Sequence, residues 1–234
     1  VHNRIVSLFD VFELDHNSFC TILEFVQGKD LESYLSTVKT LSEKEAHSIL
    51  VQLMSALKYM NELKDPIIHY DLKPANILYH QGQIKLTDFG LSKIFSGDDF
   101  DPRFRNSGCK EIALTSQGAG TYWYLPPEVF APPESGEPIT ISSKVDVWSV
   151  GCIFFELLYG FKPFGNSKSQ QTILKEATIL NESHVLDFPN KPIVSHEAKE
   201  FIKRCLEYRK DKRPDVLTLA ADAYIWSDRK KASS

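Results

Sequence analysis

Residues 69–76 read HYDLKPAN, and residues 87–90 read TDFG. Asp71, Lys73 and Asn76 are crowded into one short stretch, and Asp88 follows close behind. Taken singly, Asp, Lys and Asn are ordinary residues of surface turns. Taken together they supply a carboxylate able to accept a proton, a cation able to offset anionic charge, and oxygen ligands suited to a hard metal ion. Such crowding is best explained if all of them face one ligand, so the surrounding fold has to deliver these loops to one place.

The remainder of the chain can do so. Its 234 residues are 42% apolar and 25% charged, enough for one generous domain or two small lobes. A net charge of -4 gives no blanket basic surface for nucleic acid. The four cysteines, Cys20, Cys109, Cys152 and Cys205, are scattered without a CxxC, which argues against a disulfide framework or a zinc site and for a reducing compartment. The most apolar stretch, VGCIFFELLYG at 150–160, is too short to span a bilayer and carries Glu156, so it reads as a buried core helix. The start, VHNRIV, has neither an initiator Met nor a signal-peptide pattern and reads as an excerpt of a longer protein.

Upstream of the motif, residues 5–14 and 19–26 read as two strands joined by a turn at Asp15–Ser18. A long helix is expected from Ser42, with a capping box of Ser42 and Glu45 and a buried face of Ala46, Ile49, Leu50, Leu53, Leu57 and Met60. NILY (76–79) and QIKL (83–86) flank a Gln81-Gly82 turn and predict a small hairpin. Residues 88–128 are loop-like, a length that in a compact domain usually serves function. Helical patterns then cover roughly 144–159, 169–180, 195–208 and 215–223, the first apolar on nearly all sides and ending at Gly160.

In order, HxDLKxxN at 69–76, DFG at 88–90, GTYWYLPPE at 120–128, DVWSVG at 146–151 and Arg213 resemble the C-terminal lobe of protein kinases. The resemblance implies an α+β, protein-kinase-like fold, a mainly helical C-lobe with a remnant of the N-lobe β-sheet and the hinge. On that alignment residues 1–26 are the end of the N-lobe and the start of the hinge, residues 27–234 are hinge and C-lobe, and 1–234 form a partial kinase domain. The glycine-rich loop, the strand Lys and its helix Glu partner are expected upstream of Val1.

By the same resemblance Asp71 is the catalytic base, Lys73 contacts the transferring phosphate, Thr121 lies near the base, and Asn76 and Asp88 hold Mg²⁺ beside ATP. FCTILEFVQGKDL resembles the strand and hinge behind the adenine: Leu23 is the gatekeeper, the backbones of Glu24 and Val26 meet the adenine edge, Asp30 lies near the ribose, and Leu78 forms the apolar floor. Lys73 and Thr121 favour serine/threonine over tyrosine specificity. Asp146 is expected to hold the catalytic-loop backbone. Glu128 is expected to pair with Arg213, so that losing either partner should be about equally harmful.

Two letters depart from the common pattern. Tyr70 stands where most kinases have an Arg that meets a phosphorylated loop residue, a charge-assisted contact tyrosine cannot reproduce. Activation through that contact is not expected, although Ser107, Thr115 and Ser116 are candidate phosphorylation sites. Pro126 replaces the usual Ala before Pro127 and Glu128, stiffening the turn.

The set HYDLKPAN, LTDFGLSK, LTSQGAGTYWYLPPE, KVDVWSVG and RCLEYRK is similar to the Tousled-like kinases. That resemblance implies a nuclear (otherwise cytoplasmic) ATP- and Mg²⁺-dependent serine/threonine kinase. Its protein substrates would be histone chaperones used in chromatin assembly and chromosome segregation, with no direct nucleic-acid contact and no membrane. Oligomerisation would run through coiled coils outside this excerpt. Because the Gly-rich loop and strand Lys are absent from it, this stretch alone is expected to be inactive, and the alternative reading is a non-catalytic interaction module, a pseudokinase or truncated product. A small-molecule phosphotransferase shares the loop Asp and Asn, but GTYWYLPPE looks like a platform for protein substrates.

Overall fold

The computed structural model describes residues 1–95, 111–114, 118–132 and 138–226. Ser107, Cys109, Thr115 and Ser116 lie outside the described residues. The chain opens with an antiparallel hairpin, β1 (Leu8–Asp15) and β2 (Ser18–Leu23). Both strands are shorter on their outer ends than the alternation suggests: residues 5–7 instead run along the small sheet below, where Val6 N–H donates to Leu86 O (2.9 Å), and the chain leaves the strand after Leu23. Apolar side chains stand out on both faces of this hairpin; Phe9 and Phe19 are 68% and 70% exposed.

Next come β3 (Lys29–Asp30), α1 (Leu31–Val38) and α2 (Glu43–Asn61). α2 begins where expected, with Ser42 Oγ accepting the Glu45 N–H at 3.3 Å. The capping box is only half formed, because the Glu45 carboxylate turns to the hydroxyls of Tyr34 (3.2 Å) and Tyr79 (2.7 Å). Every residue of its expected apolar face is buried. β4 (Ile67–Ile68) precedes the HYDLKPAN loop, whose last residues form a 3₁₀ turn at Pro74–Asn76. The predicted hairpin follows as β5 (Ile77–His80) and β6 (Gln83–Leu86), with β3 added on the β5 edge. Gln52 of α2 fixes this hairpin: its Nε2 donates to Gly82 O (2.7 Å) and its Oε1 accepts from Ile84 N–H (3.1 Å).

Beyond TDFG, β7 (Lys93–Ile94) pairs with β4, and β8 (Ile112–Ala113) pairs with β9 (Thr140–Ile141). The 88–128 region is therefore not all loop: two short strands tie it to the body. α3 (Lys144–Tyr159) is the central helix, buried at every position except Lys144 and Glu156. It stops at Gly160, whose φ of +79° is left-handed and whose added Cβ would lie 2.8 Å from Lys39 O, so only glycine fits.

The segment expected as one helix over 169–180 is two, α4 (Gln170–Lys175) and α5 (Thr178–Glu182), separated by Ala177 in a left-handed conformation (φ +49°). α6 (His196–Cys205) and α7 (Val216–Ala220) are shorter than the patterns over 195–208 and 215–223, each opened by an N-cap, Ser195 or Asp215. α2, α6 and α7 pack around α3, with Phe154 of α3 edge-on to Phe201 of α6 at 5.9 Å. No helix of the described residues is long and apolar enough to cross a membrane.

Candidate active site

The HYDLKPAN loop is held from beneath by α3. Asp146, fully buried in the helix's first turn, accepts the backbone N–H of His69 (Oδ2, 2.8 Å) and of Tyr70 (Oδ1, 2.9 Å). Burial pushes its carboxyl up to about 7, while these two donors pull the other way. The paired contacts lock Tyr70 at φ +69°, a conformation a bulky side chain adopts only when its surroundings impose it. The reversal turns the next residue, Asp71, towards Thr121.

There the side chains close a triangle. Lys73 Nζ donates to Asp71 Oδ2 (2.8 Å) and to Thr121 Oγ1 (2.9 Å), and Thr121 Oγ1 donates to Asp71 Oδ1 (2.8 Å). Asn76 braces it from behind, its Nδ2 donating to Asp71 O (2.9 Å) and Oδ2 (3.2 Å). Asp71 is 9% exposed and Lys73 24%, so the carboxylate is shielded yet reachable.

Asp88 arrives from the other side. Thr87 N–H donates to Asn76 O at 3.0 Å, which sets the Asn76 and Asp88 backbones side by side. Asp88 is exposed, at φ +60°, with its Oδ1 turned back to Gly90 N–H at 3.3 Å. With Asn76's amide nitrogen spent on Asp71, its Oδ1 and the Asp88 carboxylate are the oxygens left for a hard cation. No trio of His, Cys, Asp or Glu among the described residues could hold a metal. Mg²⁺ suits this sparse donor set, since it is ordinarily held by one or two side-chain oxygens together with substrate phosphates and water.

The nucleotide-side residues are placed less uniformly. Glu24 N–H donates to Ser7 O (2.8 Å) and its side chain pairs with Lys85 (2.7 Å). Leu23 is 47% exposed at the end of β2. Leu78 lies opposite both Asp30 and Lys85 in the three-stranded sheet. Asp30 also anchors α1, where as N-cap it accepts from Ser33 N–H (2.7 Å) and Ser33 Oγ (2.8 Å). Gly28 lets the chain pass there, since a Cβ would sit 2.3 Å from Tyr79 O at a φ of +122°.

Several contributing residues carry no assigned role in the site on the sequence reading. His69 Nε2 meets Thr87 O at 3.1 Å and its ring lies 4.9 Å from Phe89, so it joins the two motifs. Desolvation lowers its pKa, keeping the ring neutral. On the platform side, Tyr124 donates its hydroxyl to Glu156 (2.5 Å), Ser149 Oγ holds Tyr124 O (2.7 Å), and Trp123 Nε1 donates to Gly165 O (2.9 Å). A lone acid inside an otherwise apolar helix was the visible signal for Glu156. Glu128 and Arg213 pair as expected, bidentate at 2.8 and 3.0 Å.

A shielded carboxylate held by a lysine and a threonine, with two oxygen donors beside it, on loops fixed to a helical lobe, defines the catalytic lobe of a protein kinase. A family model for the protein kinase domain matches residues 1–225. The chain belongs to the protein kinase family, and its α+β architecture is the one that membership implies. Within the family, it is 56% identical to mouse serine/threonine-protein kinase tousled-like 2, over 100% of this chain and 32% of that protein. It is also 56% identical to human serine/threonine-protein kinase tousled-like 1, over 100% of this chain and 30% of that protein. To the Arabidopsis thaliana serine/threonine-protein kinase TOUSLED it is 50% identical, over 98% of this chain and 32% of that protein. The chain thus spans about a third of the length of these relatives, and the likeness to the Tousled-like kinases read from the motifs is borne out.

Proposed function

We propose that this chain carries the phosphoacceptor side of an ATP-dependent serine/threonine kinase active site of Tousled-like type. The observation that carries the reading is the Asp71–Lys73–Thr121 triangle, built from segments 50 residues apart. An incoming serine or threonine hydroxyl is oriented by Asp71, which takes its proton as the oxygen attacks the γ-phosphorus of ATP and the bond from that phosphorus to the bridging oxygen breaks, with ADP leaving. Lys73 offsets the charge of the transferring phosphoryl, and Thr121 keeps Lys73 and Asp71 in register. Asn76 and Asp88 would hold Mg²⁺, which when bound would neutralise the phosphates. Leu23, Leu78, the Glu24 carbonyl and Val26 would frame the adenine, with Asp30 near the ribose while it caps α1.

On this reading residues 1–26 close the nucleotide side and 27–234 the hinge and substrate side. Family resemblance supports histone-chaperone substrates, a nuclear location and a role in chromatin assembly. The test uses the full-length polypeptide: Asp71→Asn and Asp88→Asn should each cut transfer to protein by about a thousandfold with the melting temperature unchanged. The wild type should melt higher with ATP and Mg²⁺ present. Retained turnover in both variants would sink the mechanism.

A further inference from the structure

The platform that follows Thr121 carries a cation that the reaction itself does not use. Residues Tyr122–Tyr124 form a 3₁₀ turn whose Tyr124 N–H donates to Thr121 O at 3.0 Å, so the turn starts at the threonine that touches Asp71. The stretch after α3 fixes this turn: Gln170 Oε1 accepts Tyr122 N–H (2.9 Å), and Gly165 O accepts the Trp123 indole N–H (2.9 Å). A peptide whose hydroxyl reaches Asp71 therefore lays a neighbouring residue along Tyr122–Tyr124.

Glu156 of α3 supports that turn. One carboxylate oxygen accepts the Tyr124 hydroxyl (2.5 Å) and the other accepts from Lys162 Nζ (3.2 Å). Glu32, exposed in the first turn of α1, is a second carboxylate within electrostatic reach of the Tyr124 hydroxyl. Burial, with Glu156 and Glu32 adding to it, pushes the Tyr124 phenol well above its ordinary value, so Tyr124 is a neutral donor and offsets none of this negative charge. Two carboxylates beside two aromatic rings make a place suited to a cation. An arginine or lysine of a substrate would fit it, but the chain fills it with its own side chain. Lys162 Nζ lies 5.6 Å from the Trp123 ring centroid and 5.7 Å from that of Tyr124. The lysine is also the more exposed partner of its ion pair, 23% against 13% for Glu156, so an arriving residue meets the cation first.

Resting on the kinase reading above, we propose that Lys162 is a specificity-determining residue, which occupies the acidic, aromatic-lined place beside the acceptor and so disfavours protein substrates with basic residues flanking the acceptor serine or threonine. A basic flank meets like charge and has to displace Lys162 to reach Glu156, whereas a neutral flank does not. Selection here works by repulsion, through a cation the chain supplies against the wrong substrate.

The test compares full-length wild type, Lys162→Met, Lys162→Gln, Lys162→Arg and the double variant Lys162→Met/Glu156→Gln. Two serine peptides of one length are used, one flanked by lysines and the other by glutamines. Affinity is read by fluorescence anisotropy and transfer from ATP and Mg²⁺ as kcat/KM, each expressed as the ratio of the lysine peptide to the glutamine peptide. That ratio should rise about tenfold in Lys162→Met and Lys162→Gln in both readouts. Lys162→Arg should keep the wild-type ratio, and the gain should vanish in the double variant, where Glu156 no longer carries the charge uncovered by loss of the lysine. A ratio unmoved by Lys162→Met and Lys162→Gln, or a gain that survives Glu156→Gln, would overturn the assignment. The same shift in affinity from a wild type and variants that transfer nothing would support Lys162 as a reader of the peptide and count against the kinase reading instead.

Discussion

His69 sits at the junction of the two motifs, and its environment makes a pH-dependent demand. The ring is fully buried; its Nδ1 has no partner among the described residues, and its Nε2 meets a backbone carbonyl. Burial lowers its pKa below the ordinary 6.5, with Thr87 O, Asp71 and Asp88 pulling weakly upward. In the unfolded chain the imidazole protonates first as pH falls, so the unfolded state binds more protons than the native one. The His69 contribution to stability is therefore present above pH 6.5 and lost as pH falls through the lowered native value. Urea unfolding at stepped pH should show wild type losing stability on acidification more steeply than His69→Phe, the two curves converging at low pH. Parallel curves would mean that the His69 pKa is the same in the folded and unfolded states. Tyr70, its neighbour, is a different kind of buried group: burial holds its phenol up to about 12, so it serves as packing throughout the working range.

At the scale of elements, the break between α4 and α5 shows where sequence pattern stops being informative. Ile173, Ala177 and Leu180 stand at i, i+4 and i+7 and suit one helical face, so periodicity joins the two helices. What divides them is the backbone of Ala177, held left-handed at φ +49°, and alanine carries no letter that announces such a turn. A left-handed alanine costs about 1–2 kcal/mol, against a loss of under about 1 kcal/mol from the greater freedom of glycine in the unfolded chain. Ala177→Gly should thus stabilise the protein by about 0.5 kcal/mol, read as a higher urea midpoint at unchanged slope. A lower midpoint would mean the methyl contributes packing that offsets the strain. The same distinction explains the site. HYDLKPAN and TDFG were legible because their chemistry is packed into adjacent letters. The Gln52 brace and the double duty of Asp30 were not, because each is created by folding between segments with no shared local pattern.

Across the whole molecule one contact joins Glu128, at the end of the GTYWYLPPE stretch, to Arg213 on the connection between α6 and α7. Every N–H of the Arg213 guanidinium has an acceptor: Glu128 takes two, and the carbonyls of Glu207, Lys144 and Tyr208 take the rest. The same group stacks 4.9 Å from the Trp148 ring centroid, in the heart of α3. Its side chain is 0% exposed, whereas Glu128 is 16% exposed. Glu128→Ala strands a charge in this interior, and the remaining carbonyls can hold it only partly. Arg213→Ala leaves a carboxylate that can still reach water, but it also opens a cavity beside Trp148 and deprives three carbonyls of their donors. The two losses arise differently and come to a similar size, about 3–5 kcal/mol each. Because both remove one shared interaction, the double variant should cost far less than their sum. Urea midpoints of the two singles and the double check this. Additive losses, or singles differing several-fold, would show that Arg213 is held by its carbonyl cage and the Trp148 face rather than by Glu128.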